Sequence, residues 1–148
     1  MIKVLITGFS GLLGPYVFNR LKNDFIVVTS SRSSGDYRCD ITNSNQVMLM
    51  LKEIRPNVII HCAALTDLEV AEKNPKLAFL VNEIGTKNLV ENIDDKVHFI
   101  YISTDQVFPD KPGLHVEGTE KPINVYGKSK LSGSNVVESL RKKYTICQ

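Results

Sequence analysis

The sequence predicts an α/β protein built on a doubly wound parallel sheet. Two observations carry that expectation. Short β-branched apolar runs alternate with longer amphipathic runs of helical spacing, the pattern of strands connected by crossover helices. The strand runs are apolar almost throughout, as strands covered on both faces are, and the first of them opens directly into a glycine-spaced turn.

The first strand is carried by Ile2, Val4, Leu5 and Ile6. Thr7-Gly8-Phe9-Ser10-Gly11-Leu12-Leu13-Gly14 follows, and then an amphipathic run through Tyr16, Val17 and Leu21. Gly8 permits the tight turn, Gly11 leaves room for a ligand against the backbone, and Gly14 lets the helix pack closely on the sheet. The free N–H groups of the first helical turn, with the positive end of the helix dipole, then offer a site for a pyrophosphate. The spacing is Gly-x-x-Gly-x-x-Gly, one residue longer in the loop than the commoner Gly-x-Gly-x-x-Gly. A purely structural turn is the competing reading.

Phe25 to Thr29 is a second strand, β-branched enough to be buried on both faces, and it ends in Ser30-Ser31-Arg32-Ser33-Ser34. At this strand end a dinucleotide fold meets the adenosine ribose. A carboxylate there would hydrogen-bond a free 2′-hydroxyl, whereas an Arg accommodates a 2′-phosphate. Ser31-Arg32 supplies a guanidinium and no carboxylate, which favours NADP over NAD; the plainer alternative is a solvated serine-rich loop.

Tyr37 to Ile41 reads as a short edge strand, with Asp40 either a turn residue or a contact to the adenine ring. A helix through Val47, Met48, Leu51 and Ile54 begins after Thr42-Asn43-Ser44 and stops before Pro56. Val58 to Cys62 is the next buried strand, and Ala63-Ala64 at its carboxyl end gives the small side chains a bound cofactor needs, or else packs a helix. A short helix over Leu68 to Lys73 gives way at Asn74-Pro75 to a long one over Leu77 to Asn92. Asn82 lies in its apolar face, where it either satisfies core backbone groups or holds a water or lysine near the active site. Val97 to Ile102 is the fifth strand. Pro109 to Pro122 is an irregular loop of the length associated with function, a helix runs from about Val125 to Lys142, and Tyr144 to Gln148 begins a last strand.

Composition limits the possible functions. Of 148 residues 43% are hydrophobic and 23% charged, as in an ordinary globular domain, and 18 Lys+Arg against 16 Asp+Glu leave a formal charge of +2. The basic residues are scattered, so no nucleic-acid partner is expected. The strand starting at Ile2 and the shortness of every apolar stretch lead to the expectation of a cytoplasmic protein with no membrane segment. Cys39, Cys62 and Cys147 are widely separated and lack metal-ligand spacing, so neither a disulfide nor a metal site is expected, and Cys62 and Cys147 read as small buried thiols. His61, His98 and His115 receive no chemical role.

The second half carries the chemistry. Tyr126 and Lys130 are four residues apart, hence on one helix face, and Thr104 comes from a neighbouring strand end. A phenol with an ordinary pKa of about 10 is a poor acid at neutral pH, but an adjacent ammonium and a cationic nicotinamide would lower that value. Thr104 could hydrogen-bond a substrate carbonyl while Tyr126 passes it a proton.

These residues together resemble the amino-terminal part of the extended short-chain dehydrogenase/reductases, in particular the dTDP-4-dehydrorhamnose reductase branch. The matching segments are Thr7 to Gly14, Arg55 to Ile60, Ala63-Ala64-Leu65-Thr66, Val81-Asn82, Ile102 to Asp105 and Pro122 to Leu131. The resemblance implies a Rossmann-like sheet, with Thr104, Tyr126 and Lys130 catalytic and a nucleotide sugar reduced at its 4-keto group. It implies cofactor contacts from Gly8, Phe9, Ser10, Gly11, Leu12, Leu13, Gly14, Ser31, Arg32, Asp40, Ile41, Ala63, Ala64, Thr66, Asn82, Tyr126 and Lys130. It also leaves room for a homo-oligomer. Gln106 departs from the family, which carries Tyr in its Ser-Thr-Asp-Tyr-Val-Phe segment. The family also continues for well over a hundred residues, so residues 1–148 read as a dinucleotide-binding domain without the substrate domain. Two further readings stay open: a non-catalytic regulatory module like the methionine adenosyltransferase β subunit, which resembles the same family, and an epimerase or dehydratase of the superfamily.

Overall fold

A computed structural model describes residues 1–148. Six strands form one parallel sheet: β1 (Lys3–Thr7), β2 (Ile26–Ser31), β3 (Tyr37–Arg38), β4 (Val58–His61), β5 (His98–Ile102) and β6 (Tyr144–Cys147). Their order is β3-β2-β1-β4-β5-β6. The chain winds outward from β1 to one edge, returns, and winds outward again, so β1 and β4 flank the point where the direction reverses.

Helix α1 (Leu13–Leu21) packs on β1 and β2. Helix α2 (Ser44–Ile54) is capped by Asn43, whose side chain accepts from Gln46 N, and ends at Arg55 in a left-handed conformation just before Pro56. Helix α3 (Leu68–Lys73) is capped by Asp67, and α4 (Pro75–Phe79) starts with proline in its first turn. A π-helical turn over Leu80–Ile84 joins α4 to α5 (Gly85–Glu91) without a break. Helix α6 (Val125–Leu140) is capped by Asn124.

One core holds the molecule together. Leu5, Ile59, Phe99 and Tyr101 face Val47, Met50 and Leu51 of α2, Leu89 and Val90 of α5, and Val137 of α6. The opposite face of the sheet is covered over β1, where Val4 and Ile6 are buried. It is thinner elsewhere: Ile26 is exposed, and Ile60, Ile100 and Ile102 are only half-buried. The expectation of burial on both faces therefore fails at the start of β2. Cys147 is likewise exposed rather than buried, because β6 is an edge strand and Cys147 shares its face with Ile102, away from α6.

The expected helix over Leu77 to Asn92 is present as the α4–π–α5 run. Its π turn inserts a residue at Asn82 that no periodicity announces.

Candidate functional site

The carboxyl ends of β1, β2 and β4 open on a cleft of about 250 Å³ at the reversal point of the sheet. Gly8 sits there with φ +75°, and a Cβ on it would lie 2.5 Å from Ala63 N, so the loop rests directly on the end of β4. A Cβ on Gly14 would meet Phe9 Cα at 2.7 Å. Gly14 thus brings α1 against the glycine loop rather than against the sheet. No side chain caps the start of α1, leaving its first N–H groups without such a partner. A glycine cradle, an uncapped nine-residue helix and a cleft along the strand ends together fit a dinucleotide.

Of the expected cofactor residues, Gly8, Ser10, Gly11, Ser31, Arg32, Asp40, Ile41, Ala63 and Ala64 line this cleft. Phe9, Leu12, Leu13, Gly14, Thr66, Asn82, Tyr126 and Lys130 do not. Phe9 packs edge-on against Phe18, with ring centroids 5.7 Å apart, while Leu12 and Thr66 point to solvent. Leu77 and Val81, four residues apart on the helix that precedes α5, also line the cleft. Nothing in their spacing singles them out for a site; only the fold shows which neighbour they face. Thr7, Cys62 and Leu65 complete the wall beside the glycine loop.

The rim after β2 is organised by hydroxyls. Ser31 Oγ donates to Ser34 O at 2.7 Å and accepts from Ser34 N at 2.9 Å, which folds the segment and leaves Arg32 exposed on the cleft. Asp36 Oδ2 is occupied by Thr29 N at 2.9 Å and Thr29 Oγ1 at 2.8 Å. Asp40 fulfils the turn role: Oδ1 accepts from Thr42 N and Thr42 Oγ1, and the residue still borders the cleft.

Asn82 satisfies backbone groups. Oδ1 accepts from Leu65 N at 2.8 Å, and Nδ2 donates to Leu65 O at 3.0 Å and Ser129 Oγ at 2.9 Å. Beneath it His61 is fully buried between two threonines. Thr86 Oγ1 donates to Asn82 O, so it accepts from His61 Nε2 at 3.1 Å; Nδ1 is then the unprotonated nitrogen and accepts from Thr7 Oγ1 at 2.6 Å. Burial, reinforced by the Lys130 ammonium, pushes His61 down to about 3 and keeps it neutral.

Thr104, Tyr126 and Lys130 stand beyond the cleft, where β5 meets α6. Lys130 is buried; Nζ donates to Ile102 O at 2.6 Å and lies 4.1 Å from the centroid of the Tyr101 ring. Desolvation lowers its pKa to about 7, with Cys62 opposing. Thr104 Oγ1 donates to Asp105 Oδ1 and accepts from Gln106 N, both at 3.2 Å. The Thr104 hydroxyl favours the Tyr126 phenolate. The net shift of Tyr126 runs upward, contrary to the expected depression: burial outweighs Thr104, the Asp105 carboxylate adds to it, and the Lys130 ammonium is committed to the Ile102 carbonyl.

A family model described as the RmlD substrate binding domain matches residues 2–148. The chain belongs to this family. Among solved structures similar to this RmlD-family chain is a dTDP-4-dehydrorhamnose reductase from Bacillus anthracis in complex with NADP. It has a TM-score of 0.89 and 38% identity, covering 99% of this chain and 52% of its own. The probable low-salt glycan biosynthesis reductase Agl14 of Haloferax volcanii is 36% identical over 145 residues, 91% of this chain and 48% of its own. Methionine adenosyltransferase 2 subunit beta of Xenopus laevis is 34% identical over 141 residues, 91% of this chain and 42% of its own. The chain spans about half the length of the curated relatives it matches. No helix is long and apolar enough to cross a membrane.

Proposed function

We propose that residues 1–148 are the dinucleotide-binding part of an NADPH-dependent reductase acting on a 4-keto nucleotide sugar. The observation that carries this reading is a glycine-floored cleft on the same sheet from which β5 and the helix packed on it, α6, carry Thr104, Tyr126 and Lys130. It is supported by the likeness to a dTDP-4-dehydrorhamnose reductase solved with NADP.

In this reading Gly8, Ser10, Gly11 and the start of α1 hold the pyrophosphate, Ala63 and Ala64 leave room at the strand end, and Arg32 meets a 2′-phosphate. The preference for NADP over NAD rests on Arg32, because the neighbouring carboxylate, Asp36, is engaged by Thr29. The dinucleotide, when bound, supplies the hydride. Thr104 Oγ1 turns its hydroxyl proton from Asp105 Oδ1 to the substrate carbonyl and orients it by that hydrogen bond, and Tyr126 Oη gives the carbonyl oxygen its proton. The raised phenol pKa keeps that proton on Tyr126 at neutral pH, the state a proton donor requires. Lys130, buried under Tyr101 with its pKa lowered to about 7, is charged in part of the molecules at neutral pH and places that charge near the Tyr126 helix face.

The likeness to methionine adenosyltransferase 2 subunit beta supports a second reading, a dinucleotide-binding module without turnover. Fluorescence titration of the purified chain with NADPH and with NADH tests what both share. Tighter binding of NADPH is the expected result; binding of neither overturns both. Tyr126→Phe then separates them. Turnover of a 4-keto nucleotide sugar that Tyr126→Phe abolishes at retained cofactor affinity identifies the reductase; turnover that Tyr126→Phe leaves unchanged excludes it.

A further inference from the structure

The turn after β5 and the start of α6 meet through one side chain. Gln106 N donates to Thr104 Oγ1 at 3.2 Å, and Gln106 Oε1 accepts from Asn124 Nδ2 at 2.7 Å. The other end of the Asn124 carboxamide is the helix cap, with Oδ1 accepting from Gly127 N at 2.6 Å. The backbone is equally close: a Cβ on Gly127 would lie 2.2 Å from Gln106 O. Thus a single residue holds the Thr104 hydroxyl with its main chain and the first turn of α6 with its side chain. Tyr126 lies inside that turn. Glu72 Oε1, accepting from Val125 N at 2.7 Å, fixes the same turn from the α3 side, so the helix start is clamped between two elements.

We propose that Gln106 is a positioning residue that sets the placement of the Tyr126 phenol relative to the Thr104 hydroxyl, acting through the carboxamide of Asn124. The inference rests on the reading of Tyr126 as proton donor and Thr104 as carbonyl ligand. A displacement of about 1 Å between such groups is enough to cost roughly a hundredfold in rate, so a residue that fixes them belongs to the machinery without touching substrate. Gln106 is also where this chain departs from the tyrosine carried by the family segment it resembles. A carboxamide offers an acceptor and a donor on one planar group, and a phenol offers a single hydroxyl.

The contact can be broken without removing the cap. In Gln106→Glu the carboxylate still accepts from Asn124 Nδ2. In Asn124→Asp the Gln106 amide can turn over and donate, and Asp remains a good cap for Gly127 N. In the double variant two carboxylates face each other with no donor between them. The measurement is the Cζ resonance of ring-labelled Tyr126 at neutral pH, assigned with Tyr126→Phe, in the 148-residue chain with no dinucleotide added. Both single variants are expected to stay near the wild-type position, whereas the double variant and Gln106→Ala shift together to a new one. A resonance unmoved in Gln106→Ala, or single variants that shift as far as the double, overturns the proposal. Should the double variant fail to fold, Gln106→Ala and the two singles decide by the same criterion. Because the readout needs neither cofactor nor turnover, it stands or falls separately from the proposed reductase activity.

Discussion

The carboxamide of Asn82 and the hydroxyl of Ser129 meet at 2.9 Å across 47 positions of sequence, tying the π turn between α4 and α5 to the helix that carries Tyr126 and Lys130. The same carboxamide makes both backbone hydrogen bonds of Leu65, on the wall of the cleft. One buried amide therefore joins the cleft wall to the helix that carries Tyr126 and Lys130.

Replacing it leaves the half-buried Leu65 N–H and C=O without their side-chain partner and takes one donor from the Ser129 hydroxyl, which keeps its own donation to Tyr126 O. Asn82→Ala is expected to destabilise the chain by about 3 kcal/mol, read as a lower urea midpoint at unchanged slope. A loss below about 1 kcal/mol would show that these groups find other partners.

His61 gives the stability curve an acid limb. Its pKa is near 6.5 in the unfolded chain and about 3 when folded, so between these values the folded form binds fewer protons. Stability contributed by neutral His61 is complete above about 6.5 and is lost as pH falls toward 3, at about 1.4 kcal/mol per pH unit. Urea unfolding of His61→Gln at a series of acidic pH values should show a shallower limb than wild type. Parallel limbs would assign the acid loss to other groups.

In the proposed reading Arg32, exposed on the cleft, meets the 2′-phosphate. Arg32→Ala should weaken NADPH binding by about tenfold and leave NADH binding unchanged in fluorescence titrations, since only one of the two carries the 2′-phosphate. Equal weakening of both would place Arg32 elsewhere than on the ribose.

Gly8 is held at φ +75° with no room for a methyl group above Ala63 N. Gly8→Ala is expected to cost about 2 kcal/mol or more, from backbone strain and collision together, and to abolish dinucleotide binding. Wild-type affinity in this variant would mean that the loop can refold around the methyl group.

What the sequence made legible was local. The β-branched run at Val58 to Ile60, the alternating aromatic and β-branched run at Phe99 to Ile102, the helix start at Thr42-Asn43-Ser44 and the glycine spacing from Gly8 to Gly14 each report their own conformation, and the fold follows from them. What it withheld depends on partners distant in the chain. Lys130 was expected to act on Tyr126 four residues away, yet its ammonium goes to Ile102 O, 28 residues away. Nothing in the spacing of Leu77 and Val81 points to a site, and only the position of the glycine loop turns them toward a cleft. Cys147 belongs to an apolar run, but being on an edge strand exposes it. Asn82 was polar in an apolar face, which flagged it without saying which atoms it would meet.

The π turn over Leu80–Ile84 absorbs one residue more than a regular α-helix would place there. Because the surplus is taken up by the wider turn, the two ends of the run keep their phase, with Leu77 on the cleft and Leu89 and Val90 in the core. A one-residue deletion inside the turn would close it into a regular α-helix and leave both faces where they are. The same deletion in α5 would turn the two ends by about 100° against each other, so the run has a built-in place at which its length can change and elsewhere none.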